Sequence, residues 1–270
     1  MKKTIGFIGC GNMASAMIGG IINAGLISSD NIYGSDTSNQ RLDFVKEKFN
    51  IITNIDNKET VSFSDILVLS VKPNMYPKVI EEIKNYVKDD VIIVTIAAGV
   101  DLAFTEKCFG KEIKIVRVMP NTPALVGEGM SAVCSNNKVQ KDELDSILKI
   151  FNSFGKAEII DEKLMPAVTA ISGSSPAYVY MFIEALADGG VLEGLPRDKA
   201  YKMAAQAVLG SAKMVLESGK NPAALKDEVC SPAGTTIEAV YTLEKNNFRG
   251  AVISAVESCT EKTIKMGKKN

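Results

Sequence analysis

Gly9-Cys10-Gly11-Asn12-Met13-Ala14 is the first stretch of the chain whose residue types and spacing suit a definite chemistry. Glycine at 9 permits a tight turn, glycine at 11 lets bare backbone approach a phosphate, and a small residue at 14 lets a helix pack against a strand. An apolar run, Ile5 to Ile8, leads into the turn, and an amphipathic stretch, Met13 to Ala24, leads out of it. Unpaired N–H groups at a helix N-terminus would then face the phosphates of a dinucleotide. A purely structural glycine turn would not need this placement between strand and helix. Asp36 closes the next apolar run, Asn31 to Ser35, where a carboxylate bonds the ribose 2′-hydroxyl of NAD and repels a 2′-phosphate. Ser35, Thr37, Ser38 and Arg41 stand near enough to hold that phosphate should Asp36 point away, so NADPH and NADH both stay open.

Further loops leave later strands: Val71-Lys72-Pro73, Ala97-Ala98-Gly99 and Met119-Pro120-Asn121-Thr122-Pro123. In open parallel sheets ligands bind outside such strand ends, which makes these loops candidates for the nicotinamide side, against the plainer reading of connections that need Gly or Pro. Two polar turns come later, Ser172-Gly173-Ser174-Ser175-Pro176-Ala177-Tyr178 and Ser231-Pro232-Ala233-Gly234-Thr235-Thr236. Each precedes an apolar helix and either offers N–H groups and hydroxyls to a small anion such as a carboxylate or simply N-caps the helix. The chain has no histidine, which excludes Ser-His-Asp hydrolysis, His-ligated metals and His relays. Hydride transfer needs none of these, because a cofactor carries the reactive atom. No metal site is expected.

The elements that must position these residues fall into two regions. Short Ile- and Val-rich runs at Ile5 to Ile8, Asn31 to Ser35, Ile66 to Val71, Val91 to Ile96 and Ile113 to Met119 read as strands buried on both faces. Helical patterns separate most of them: Met13 to Ala24, Asn39 to Lys48, Met75 to Tyr86 and Leu102 to Phe109. That alternation predicts an α/β fold, a Rossmann-type parallel sheet with right-handed crossovers. Met130 to Cys134 and Ala157 to Ile160, on either side of a helix from about Asp142 to Phe154, extend it. After Asp161 only helices follow, which divides the chain into a dinucleotide-binding domain, 1–160, and an all-helical substrate and dimerisation domain, 161–270. Ala177 to Glu193 and Asp198 to Glu217 are apolar around much of their circumference, as in helices that pack into a partner subunit or in a monomeric bundle core.

The 270 residues are 46% hydrophobic and 23% charged with net charge −1, a globular composition without a basic patch for nucleic acid. Lys262, Lys265, Lys268 and Lys269 suit a solvated helix end. Five scattered cysteines without a C-x-x-C pair suit a reducing, cytoplasmic compartment. Met1-Lys2-Lys3 and the apolar stretch to Cys10 resemble the start of a secretion signal, but Gly6, Gly9, Gly11 and Asn12 interrupt it. The longest apolar run, Val91 to Val100, is far below the ~18 residues of a membrane span. A soluble protein without membrane contact is expected.

Seven segments in order, I-G-F-I-G-C-G-N-M, V-K-P, I-A-A-G-V, M-P-N-T-P-A-L-V, S-G-S-S-P-A-Y-V, A-A-Q-A-V-L-G-S-A-K-M-V-L-E and L-K-D-E-V-C-S-P-A-G-T-T-I-E-A-V, resemble pyrroline-5-carboxylate reductases from Ile5 to about Lys265. The resemblance implies hydride transfer from NADPH or NADH to the C=N bond of 1-pyrroline-5-carboxylate. It places Gly9, Gly11, Asn12 and Met13 on the pyrophosphate, Asn57, Val71, Lys72 and Ala98 along the cofactor cleft, and Asn121 and Pro123 beside the nicotinamide. The fingerprint adds Cys10, Ala14 and Asp36, and the strand-end loops add Pro73 and Ala97. Gly234, Thr235 and Thr236 match the turn that binds the substrate carboxylate, joined by Ser231 and Ser174, with the Thr236 hydroxyl toward the ring nitrogen and Glu162 near the substrate. Asp36 departs from relatives that hold a 2′-phosphate with Ser or Arg. The family implies homodimers and decamers built from them. Rival readings are a 3-hydroxyacid dehydrogenase, disfavoured because Ala177 to Glu193 has no lysine, a general imine reductase, and a dinucleotide sensor without turnover. All of this requires the phosphate turn and the Ser231 to Thr236 turn to meet across one crevice.

Overall fold

A strand covered by helices on both sides must be apolar along its whole length, and the Ile- and Val-rich runs meet that demand. The structure is a computed structural model that describes residues 3–268. Met1, Lys2 and Lys269, which enter the readings of the two chain ends, lie outside the described residues. β1 (Ile5–Ile8), β2 (Ile32–Ser35), β3 (Ile52–Asn54), β4 (Ile66–Leu69), β5 (Ile92–Thr95), β6 (Lys114–Met119), β7 (Gly129–Ser135) and β8 (Gly155–Ile159) form one sheet in the order β3-β2-β1-β4-β5-β6-β7-β8. Every neighbouring pair is parallel except β6 and β7, which are antiparallel. The strand order turns back between β1 and β4, the switch point at which such sheets bind ligands. Of these strands, β3 alone goes unread in the sequence. It has three residues on a sheet edge, Ile52 is exposed, and so it lacks the apolar run of its neighbours.

The crossovers are α1 (Asn12–Asn23), α2 (Asn39–Phe49), α3 (Asn57–Phe63), α4 (Tyr76–Ile83) and α5 (Leu102–Phe109), with α6 (Lys141–Asn152) joining β7 to β8. Side chains alternate across the sheet and split into two cores. Phe7, Val68 and Val94 pack with Met17, Ile18, Phe151 and Phe154 on one face. Ile8, Leu67, Leu69 and Ile93 pack with Tyr76, Ile80 and Ile83 on the other.

Beyond β8 come α7 (Met165–Val168), a π-helical turn at Thr169–Gly173, α8 (Ser175–Leu192), α9 (Arg197–Ser218), α10 (Pro222–Val229), α11 (Thr235–Lys245) and α12 (Phe248–Gly267). Packing divides the chain into one unit running to Ser174 and resuming at Ser258, and a second from Ser175 to Glu257. The first unit thus runs past the 160/161 boundary read from where strand signals stop. The reason is that Met165 is buried against Met119, Ala132 and Cys134 of the sheet. Among the described residues the buried apolar cluster of the second unit is Ala187, Ala200 and Ala204, while Leu192 is 84% and Leu216 82% exposed. None of the helices among the described residues is long and apolar enough to cross a membrane.

Candidate active site

The turn after β1 is built as its glycines require. Gly9 has φ of +94°, and a Cβ there would stand 2.7 Å from the Ser70 carbonyl oxygen. Its N–H donates to the Ser35 carbonyl at 2.7 Å, and the Ser70 hydroxyl donates to the Gly9 carbonyl at 2.6 Å. The turn is therefore laced to the ends of both β2 and β4. Gly11 is the N-cap of α1, with no side-chain cap and no acid in the first turn, so the positive end of the helix faces no competing carboxylate of its own. A Cβ on Gly11 would meet only the Arg41 Nη1 atom, at 3.7 Å. This open space beside bare N–H groups fits a pyrophosphate. Asn12, Met13 and the buried Ala14 follow in α1.

Both carboxylate oxygens of Asp36 are engaged within the protein. Its Oδ2 accepts from the Cys10 N–H at 2.8 Å, its Oδ1 accepts from the Ser38 N–H at 2.9 Å, and Arg41 Nη1 lies 3.7 Å from Oδ2. Cys10 is buried below the turn, and burial first, then the Asp36 charge, pushes its thiol up to about 12 against a smaller pull from Arg41. That thiol stays protonated and unreactive near neutral pH. Gly9, Asp36, Thr37, Arg41, Asn57, Val71 and Lys72 border a cavity of about 320 Å³. On its wall Asn57 accepts from the Ser35 hydroxyl at 2.8 Å and reaches Glu82 at 3.2 Å.

Lys72 is exposed and caps the short turn that Pro73 opens. Behind it lies a residue the sequence reading missed. The fully buried Tyr76 hydroxyl donates to the Leu69 carbonyl at 2.7 Å and accepts from the Thr95 hydroxyl at 2.9 Å, fastening the end of β4 to the end of β5. Burial pushes this hydroxyl up to about 12. Ala97 is buried and Ala98 half-buried in the next loop. After β6, the Asn121 amide donates to the Ser172 carbonyl at 3.1 Å and accepts from the Met130 N–H at 2.8 Å, pinning the loop that holds Pro123 to the π-helical turn. Its side chain is thus engaged within the protein. Ser174 accepts a hydrogen bond from the Cys259 thiol at 3.3 Å. Glu162 Oε1 accepts from the Leu102 N–H at 2.8 Å and from Arg117 Nη1 at 2.9 Å, so it holds the start of α5 and neutralises a buried cation.

The second turn lies in the helical unit. The Gly234 N–H donates to the Ser231 carbonyl at 3.1 Å with Pro232 and Ala233 between them, and Ala233 has φ of +56°. Proline followed by a positive φ is a type II turn. Gly234 is the N-cap of α11 and makes no side-chain cap, so plain capping by a Ser or Thr at that position is not its role. Thr235 and Thr236 open the helix. Alanine is strained in the left-handed region, so Ala233→Gly should raise stability by up to about 1 kcal/mol after the entropy of the added glycine is counted. Urea melts would measure it, and a loss would mean that the methyl group packs. Gly9, Asp36, Asn57, Val71 and Lys72 thus share one cavity, while Cys10 to Ala14, Pro73, Ala97, Ala98, Asn121 and Pro123 follow the ends of β1, β4, β5 and β6 in the same unit, which also contains Glu162 and Ser174. Ser231, Gly234, Thr235 and Thr236 come together in the second.

A mostly parallel sheet with an uncapped phosphate turn at its switch point defines a Rossmann-type dinucleotide protein, and residues 4–99 match a family model described as NADP oxidoreductase coenzyme F420-dependent. Residues 162–266 match one described as pyrroline-5-carboxylate reductase dimerisation. The pyrroline-5-carboxylate reductase of Escherichia coli (strain K12) is 49% identical over 268 residues, covering 99% of this chain and 100% of that one. The Methanosarcina acetivorans enzyme of that name is 43% identical, covering 99% of both chains. The crystal structure of Plasmodium falciparum pyrroline carboxylate reductase with NADP bound superposes with a TM-score of 0.90 at 40% identity, covering 98% of each chain. The chain belongs to the pyrroline-5-carboxylate reductase family.

Proposed function

We propose that the chain catalyses the reaction of its family, NAD(P)H-dependent reduction of the C=N bond of 1-pyrroline-5-carboxylate to L-proline, the last step of proline biosynthesis. The observation that carries this reading is the pair of helices that begin at a glycine N-cap, Gly11 and Gly234, in a chain of this family. One suits a pyrophosphate and the other a small carboxylate. When bound, the reduced nicotinamide supplies the hydride. The chain's own work is then orientation. Gly9 to Ala14 hold the pyrophosphate, while the loops at Val71 to Pro73, Ala97 to Ala98 and Asn121 to Pro123 set the nicotinamide against the substrate. The N–H groups after Gly234 hold the carboxylate, with Ser231 and Thr235 bordering it. Glu162 acts as a positioning group through α5 and Arg117.

The Thr236 hydroxyl orients the ring nitrogen. A threonine hydroxyl is a poor acid near neutral pH, so the nitrogen arrives already protonated and Thr236 keeps it in place. Apolar side chains exposed on α8 and α9, among them Met181, Leu192, Leu209 and Leu216, support a homodimer that covers them, and decamers built from dimers. Five cysteines, all free in the structure, suit a cytoplasmic location.

Mixing the protein with 1-pyrroline-5-carboxylate and either NADPH or NADH, and following loss of reduced nicotinamide absorbance, tests the activity. Turnover that requires the cyclic imine is expected; oxidation independent of it, or none, would discard the assignment. Thr236→Ala removes one substrate hydrogen bond worth about 1 to 3 kcal/mol and should lower kcat/KM by about 5- to 150-fold with dinucleotide affinity nearly intact. Unchanged turnover would remove Thr236 from the mechanism.

A further inference from the structure

An acidic residue at the end of the second strand is ordinarily read as a ribose ligand that selects NADH. Asp36 stands at that position, but its two carboxylate oxygens face inward. One meets the Cys10 N–H at 2.8 Å, inside the phosphate turn, and the other meets the Ser38 N–H at 2.9 Å. Each oxygen keeps a second lone pair, yet the side chain is only 7% exposed, which leaves little surface for a ribose. A buried carboxylate accepting two backbone N–H groups is held strongly, because charge-assisted bonds of this kind are about twice as strong as neutral ones. Cys10 lies between the two glycines that shape the turn, so the bond from its N–H fixes the cradle itself.

Arg41 has the opposite character. It projects from the first turn of α2 with its side chain 61% exposed, and Nη1 lies 3.7 Å from both Asp36 Oδ2 and the place a Cβ on Gly11 would occupy. A contact that long and exposed holds the guanidinium only weakly. Arg41 can therefore turn toward an anion at the cavity mouth, where Lys72 supplies a second cation and Thr37 a hydroxyl. We propose that Asp36 is a positioning residue that clamps the phosphate turn to the end of β2, and that Arg41 reads the 2′ position of the ribose. This rests on the proposed dinucleotide site but not on the proposed substrate.

The two roles separate in direct binding. Dissociation constants for NADPH and NADH, measured by fluorescence titration on the full chain, are compared for wild type, Asp36→Ala, Asp36→Asn and Arg41→Ala. Loss of a clamp should weaken both dinucleotides together, by about tenfold each, with their ratio within about threefold of wild type. Arg41→Ala should weaken NADPH by about tenfold and NADH by less than about twofold. Asp36→Asn removes charge without changing volume, so it serves where Asp36→Ala fails to fold. A ribose-reading Asp36 would instead tighten NADPH and loosen NADH in either variant, and that result would overturn the clamp. Equal losses for both dinucleotides in Arg41→Ala would overturn the role of Arg41. Circular dichroism of each variant confines the comparison to folded protein, which separates a clamp from a general loss of stability. Because no turnover is measured, wild-type protein that binds dinucleotide but ignores 1-pyrroline-5-carboxylate would sink the proposed activity while leaving this test intact.

Discussion

Gly9→Ala should weaken NADPH binding by at least about a hundredfold, the dissociation constant being the quantity to measure. Two costs combine at that position. A non-glycine residue held at φ of +94° carries roughly 1 to 3 kcal/mol of backbone strain. Its methyl group would also stand 2.7 Å from the Ser70 carbonyl oxygen and 3.0 Å from the carbonyl carbon, well inside van der Waals contact. The neighbour cannot yield easily, because the Ser70 N–H donates to the Ile8 carbonyl at 2.9 Å and its hydroxyl to the Gly9 carbonyl at 2.6 Å. The turn itself must move, and a misplacement of about 1 Å in a positioning group can cost about a hundredfold. Gly11→Ala is the informative companion. Its Cβ would meet only Arg41 at 3.7 Å, so the folded protein should keep its thermal midpoint while phosphate room is lost. Tight NADPH binding by Gly9→Ala would mean that the phosphates rest elsewhere.

The phosphate turn was legible because each of its residues has one local reason for its type, and the strands flanking it are continuous apolar runs. β1, β2, β4, β5 and β6 could be read for the same reason. β3 could not, since a three-residue edge strand with an exposed Ile52 carries no periodic signal. The directions of polar side chains were also beyond reach. Asp36 meets a backbone group 26 residues away, Asn121 one 51 away, and Glu162 partners 60 and 45 away. Spacing along the chain says nothing about such contacts until the sheet has closed. Tyr76 illustrates the same limit: in sequence it is one more large residue on the apolar face of α4, and only the fold shows its hydroxyl joining two strand ends. The turn at Ser231 was readable as an anion site or a cap, and spacing alone did not show that a glycine, Gly234, takes the N-cap position.

Glu162→Ala should be the most destabilising change at the site, with a loss of about 3 kcal/mol, because it strands a buried cation. Arg117 extends from β6 with 6% of its side chain exposed, and its Nε has no partner among the described residues even with Glu162 present. The carboxylate also accepts the Leu102 N–H, one of the otherwise unpaired donors at the start of α5, while Asp101 accepts the Phe104 N–H beside it. Cys134, opposite Arg117 in the strand register, lies in the same buried surroundings, and its thiol is pushed up to about 12 chiefly by burial. Water reaches Glu162, which is 33% exposed, and this keeps the expected loss near the lower end for a broken buried pair. For a unit of this size 3 kcal/mol corresponds to a fall of roughly 6 to 12 °C in the thermal midpoint. Glu162→Gln keeps an acceptor for both donors and should cost about 1 kcal/mol. The decisive comparison is the double variant Arg117→Met with Glu162→Ala. With the cation gone, the cost of leaving it unpaired vanishes, and the double variant should melt above Glu162→Ala alone. If the double variant melts lower still, the two side chains stabilise the fold independently, and Glu162 holds α5 without serving Arg117 at all.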